Sequence, residues 1–144
     1  AYIYHTVAYD NHKNGIYIVE TKYVELDGTN TVENRRDGLF IDSGKFGYDV
    51  DVKILDSISC ENGDDGMQFL QQNSGYEFDF ATDDSFSCDN HQLDLQFDGR
   101  FDIDEHKNVI TADLCADKNG NFAQACKDLV LKPCKNFVCP TYSH

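Results

Sequence analysis

Tryptophan is absent from this chain, and proline occurs only twice, at Pro133 and Pro140. No apolar run approaches the roughly 20 residues that a membrane-spanning helix needs, so no such span is expected. Basic residues are scarce: 12 Lys and Arg stand against 26 Asp and Glu, a formal charge of −14. Phosphate backbones and anionic membrane surfaces repel such a chain, which removes nucleic acid from the expected partners.

Several local signatures are missing as well. There is no G-x-S-x-G elbow, no phosphate-binding glycine loop of either common type, no EF-hand spacing and no C-x-x-C pair. The five histidines (His5, His12, His91, His106 and His144) include no H-E-x-x-H and read as surface residues. No cofactor is therefore expected, and no motif of good specificity marks the chain as an enzyme. The chain also has no N-x-[ST] glycosylation site, which bears neither way on secretion.

What is present is a set of six cysteines, all from Cys60 onward: Cys60, Cys88, Cys115, Cys126, Cys134 and Cys139. Their number in so short a chain predicts three disulfides and an oxidising, extracellular compartment; the residues alone leave 15 pairings open. A start at Ala1 fits a removed signal peptide. The length of 144 residues suits one domain, with a cysteine-rich tail at about 132–144.

Nine of the ten glycines follow Asn, Asp or Ser, as in Asn14-Gly15, Asp37-Gly38 and Asp65-Gly66. Such pairs are turn formers, and they punctuate the chain like a series of hairpins. Between them side chains alternate with period two. Phe46, Tyr48, Val50, Val52 and Ile54 share one strand face, and Asp49, Asp51 and Lys53 the other; 76–80, 93–98 and 101–104 repeat the pattern. Further strands are expected at 2–9, 16–26 and 109–114, and a short helix at 121–130. This reading, with no internal repeat, predicts an all-β fold: a single antiparallel β-barrel or β-sandwich stapled by disulfides.

Three side-chain groups invite a chemical reading. Leu39-Phe40-Ile41-Asp42-Ser43-Gly44 resembles the active-site loop of aspartic proteases, which would make Asp42 catalytic, although that chemistry needs a second carboxylate. Acidic runs, Asp83, Asp84 and Asp89 or Asp98, Asp102, Asp104 and Glu105, could supply oxygen ligands to calcium. A carboxylate pair suited to a glycosidase is a matter of spatial separation. Tyrosines crowd the first quarter, at Tyr2, Tyr4, Tyr9, Tyr17 and Tyr23, as strand packing or as a binding face.

The second half has a further order: Ser57-Ile58-Ser59-Cys60, then Phe86-Ser87-Cys88-Asp89-Asn90 leading to Leu93–Asp98, then Val109–Leu114 running into Cys115, a loop with Asn119-Gly120, and Cys126. Over roughly residues 45 to 131 this succession is similar to the fungal secreted proteins grouped around the major allergen of Alternaria, which include plant-defence elicitors and effectors. The resemblance implies a compact β-barrel with Cys60 bridged to Cys88 and Cys115 to Cys126, leaving Cys134 for Cys139. It also implies interaction with a host. The expected function is a secreted binding protein of effector or allergen type, acting on a host or cell-surface protein or a small apolar ligand. The alternatives are a carboxylate-dependent extracellular hydrolase, through Asp42 or as a glycosidase, and a calcium-binding cell-wall protein.

Overall fold

Alternation of apolar and acidic residues builds strands here as expected, but their arrangement is different. The computed structural model describes residues 1–45 and 47–143; Phe46, read above as part of a strand face, and His144 lie outside the described residues. The chain winds through five successive coils, each contributing one short strand to each of three sheets. The first coil holds β1 (Tyr2–Tyr4), β2 (Val7–Tyr9) and β3 (Ile16–Val19); the second β4 (Tyr23–Asp27), β5 (Asn30–Val32) and β6 (Leu39–Asp42). The third holds β7 (Val50–Leu55), β8 (Ile58–Cys60) and β9 (Met67–Leu70); the fourth β10 (Phe78–Asp83), β11 (Ser85–Cys88) and β12 (Leu95–Asp98). The fifth holds β13 (Phe101–Asp102), β14 (Val109–Thr111) and β15 (Cys115–Ala116), followed by α1 (Gln124–Asp128) and β16 (Val130–Lys132).

Every strand pairing is parallel, which makes the fold a parallel β-helix and overturns the antiparallel barrel or sandwich. The reason is physical. A half-buried strand shows the same period-two alternation in either direction, so the pattern does not report the sense of pairing. The repeat does. Val24 pairs with Val52 and Val52 with Phe80, Leu39 with Met67 and Met67 with Leu95, each step spanning 28 residues. The chain therefore has an internal repeat, contrary to expectation, and its mark is Glu33-Asn34, Glu61-Asn62 and Asp89-Asn90.

The glycine pairs were read as hairpin turns, yet the left-handed backbone that bends each coil sits mostly elsewhere. Asp10, Glu33, Glu61 and Asp89, with φ of 54–56°, turn the chain from the second sheet to the third. Acidic side chains hold a conformation usually left to glycine or asparagine. Gly38 and Gly66 serve another need. A Cβ on Gly66 would run into the Ser87 hydroxyl and the Asn90 amide of the next coil.

Inside the coils, residues stack in ladders. Ile41, Phe69 and Phe97 succeed one another on the third sheet, with Phe69 and Phe97 stacked at 5.2 Å and Phe80 meeting both edge-on. Such offset and edge-on ring contacts add to the burial of each ring. At the corner after the second sheet an asparagine ladder runs through the molecule. Asn11 donates to Asn34 Oδ1 at 2.8 Å, Asn34 to Asn62 Oδ1 at 3.1 Å, and Asn62 to Asn90 Oδ1 at 3.0 Å.

The disulfides join Cys60 to Cys139, Cys88 to Cys134 and Cys115 to Cys126. The last matches the pairing that the resemblance implies; the other two replace Cys60–Cys88 and Cys134–Cys139. Cys60 and Cys88 occupy matching places on adjacent coils, and each reaches the tail that crosses the second sheet. That tail descends coil by coil: Phe137 stacks on Phe86, and Tyr142 meets Tyr9 and accepts a hydrogen bond from Asn30 Nδ2 at 2.7 Å. The opposite end is closed by α1 and its neighbour, whose Ala125 and Leu129 join the core. No helix is long and apolar enough to cross a membrane among the described residues.

Candidate functional site

The tail crosses the second sheet, and on the first sheet the outward positions follow directly from strand alternation. Val50, Val52 and Ile54 are buried while Asp51 and Lys53 are exposed; Phe78 and Phe80 are buried around Asp79. The parallel register then stacks these outward residues. Asp51 pairs with Asp79 and Asp79 with Asp102, so three aspartates stand at the same place on three consecutive coils, about 4.8 Å apart from strand to strand. Like charges in register destabilise a sheet. Tyr23 stands directly above Asp51, and Lys53 beside it pairs with Glu25.

Tyr23, Asp51, Lys53, Asp79 and Asp102 line a groove of about 570 Å³ together with Asp104 and Asn108. Asp79 and Asp102 of this lining have carboxylate oxygens within 4.8 Å of one another and of Glu77, which stands outside the groove. Glu77 also faces Arg100 across 3.9 Å at an exposed rim. Asp79 is pushed up to about 6. Its partial burial disfavours the charge first, a hydrogen bond with Asp51 holds the proton next, and the charges of Asp51, Glu77 and Asp102 add to both. Asp79 thus keeps a proton into the mildly acidic range.

Above the acids, in the first two coils, lie three of the tyrosines. Tyr4 and Tyr23 donate their hydroxyls to the two oxygens of one carboxylate, Glu25, at 2.6 and 2.8 Å. Tyr2 lies 5.2 Å from the Tyr23 ring and 6.1 Å from Tyr4. Both phenols are raised to about 12, chiefly by those hydrogen bonds, and the same bonds hold Glu25 below the usual carboxylate range.

Asp42 lies at the end of β6 on the third sheet, away from this groove. It is buried, and its Oδ1 accepts from the Gly44 backbone at 2.9 Å and from Gln72 Nε2 at 2.7 Å, while Tyr17 donates to Oδ2 at 3.4 Å. No carboxyl is among these partners, so the loop has the form of a closed Asp-Ser-Gly turn. The calcium group Asp98, Asp102, Asp104 and Glu105 is divided. Asp98 is buried at the end of β12, accepting from the Lys118 backbone and from Gln96, whereas Asp102 and Asp104 line the groove and Glu105 is not among its lining residues. Asp83, Asp84 and Asp89 are exposed and spread over a strand end and two turns, with Asp84 and Asp89 in left-handed conformation.

Asp51, Glu77 and Asp79 were missed as site residues because each was read only as the wet side of a strand. The signal that could have found Asp51 and Asp79 is their spacing of 28 residues, which is the repeat. Comparison with protein-family models, curated proteins and solved structures finds no match for this chain.

Proposed function

We propose that the protein is an extracellular glycosidase that binds a polysaccharide along the outer face of its first sheet and cleaves it with the aspartate row. The observation that carries this is Asp79: a carboxyl raised to about 6, hydrogen-bonded to one aspartate and in register with another, at the floor of an open groove. Acid and base roles emerge when neighbouring carboxyls are pushed apart in this way. The spacing of about 4.8 Å between neighbouring strands lies closer to the roughly 5–5.5 Å of retaining enzymes than to the wider inverting arrangement.

Asp79 then gives its proton to the glycosidic oxygen as that bond breaks, and the Asp102 carboxylate attacks the anomeric carbon to form a glycosyl ester. A water, losing its proton to Asp79, releases the sugar and restores Asp102. Asp51 holds the Asp79 proton in place through its hydrogen bond. The three disulfides fit an oxidising compartment. An extracellular setting is retained from the sequence reading, while a glycan takes the place of a host protein because the groove offers hydroxyl-binding carboxylates.

Release of reducing ends from a panel of soluble polysaccharides at pH 5 tests the proposal, with Asp79→Asn and Asp102→Asn each expected to lose at least a thousandfold. No cleavage of any substrate, or an Asp79→Asn variant as active as wild type, would sink it. Calcium is the second reading, favoured by the convergence of Glu77, Asp79 and Asp102 oxygens. Hard cations take such oxygen sets.

A further inference from the structure

Resting on the glycosidase reading, we infer that Tyr2, Tyr4 and Tyr23 form a stacking platform for the same polymer, and that this polymer is a cationic amino sugar. Tyr2 is 65% exposed and Tyr4 46%, beside a carboxylate shared by the Tyr4 and Tyr23 hydroxyls. Glu25 fixes two of the three rings, so little rotational freedom is lost when a ligand settles on them. Tyr23 also lines the acidic groove, which makes platform and acids one surface. From β1 to β10 that surface crosses three strand spacings, about 14 Å, long enough for several sugar rings.

The charge of the ligand follows from both halves of the surface. Aromatic faces attract ammonium groups through their quadrupole. Asp51, Asp79, Asp102 and Asp104 attract them directly, with Lys53 the one basic residue lining the groove among those described. A uronic acid polymer would meet the acids with its own negative charge, and a neutral glycan would gain only the stacking. A basic peptide shares the charge but lacks the ring faces that lie flat on tyrosine. Each strand from β4 to β10 is paired on both sides, so a peptide has no free strand to add to there.

Calorimetry at pH 6 with a glucosamine hexasaccharide, an N-acetylglucosamine hexasaccharide, a galacturonate hexasaccharide and hexalysine tests the inference. Wild type should bind the glucosamine oligomer at least tenfold more tightly than the N-acetylated one and show no heat with galacturonate. Tyr2→Ala should weaken binding about three- to fivefold. Tyr23→Phe, which keeps the ring, should weaken it less than Tyr23→Ala. Preference for the galacturonate or the neutral oligomer, hexalysine binding equal to that of the sugar, or Tyr2→Ala binding unchanged would each overturn it. Product analysis separates the two claims: binding of the amino sugar without cleavage removes the glycosidase and leaves the platform. Cleavage of some glycan with Tyr2→Ala unaffected does the reverse.

Discussion

Asn34 and Asn62 stand one above the other at the same corner of successive coils, and both the backbone N–H and the Nδ2 of Asn34 donate to Asn62 Oδ1, at 3.0 and 3.1 Å. Asn62 in turn donates to the Thr31 carbonyl and the Ser59 hydroxyl. A turn that would otherwise bury unpaired backbone groups is satisfied by the side chain of the next turn.

Asn62→Ala removes an acceptor and two donors from this buried corner, leaving the Asn34 N–H and the Thr31 carbonyl without them. The expected loss is about 2–4 kcal/mol, since each orphaned group costs roughly 1–3. Urea unfolding should show it as a lower midpoint with unchanged slope.

Reduction-free peptide mapping should recover Cys60 with Cys139 and Cys88 with Cys134. Because Cys60–Cys139 closes a separation of 79 residues against 11 for Cys115–Cys126, chain-entropy accounting assigns it about 4.5 kcal/mol and the shorter bridge about 3. Cys139→Ser should therefore lower the melting temperature more than Cys126→Ser under non-reducing conditions.

Asp37 is buried, its Oδ1 accepts from the Asp65 backbone, and burial pushes it from 3.8 up to about 7. The folded state holds this proton more tightly than the unfolded chain. Its contribution to stability is thus complete below about pH 4 and is lost as pH rises through about 7. Asp37→Asn keeps the acceptor oxygen without the charge. It should gain on the order of 2–4 kcal/mol over wild type at pH 8 and almost nothing at pH 4, as thermal melts at both pH values would report.

With Asp79 in the proposed role of acid, turnover should fall about tenfold for each pH unit above about 6. In Asp51→Asn, which removes the first charge beside it, that limb should move to lower pH. If EDTA abolishes turnover and calcium restores it, the carboxylates hold a metal and the acid role passes elsewhere.

The sequence made much of the local structure legible. Val50, Val52 and Ile54 are buried and Asp51 and Lys53 exposed as their alternation requires, and the helix at Gln124–Asp128 falls inside the expected stretch. The six cysteines are all paired. The turn chemistry was less legible, since Glu33 and Glu61 occupy left-handed positions where glycine would have been the readable sign.

By itself, then, the sequence determined which side chains face inward, how many sulfur bridges form, and that the exterior is acidic, because these depend on near neighbours and on composition. The direction of strand pairing, the partners of Cys60 and Cys88, and the meeting of Asp51, Asp79 and Asp102 were decided only by the stacking of coils. Asp51 and Asp79 are 28 positions apart along the chain and Asp79 and Asp102 are 23, yet each pair is one strand spacing apart in space, and alternation carries no record of that separation.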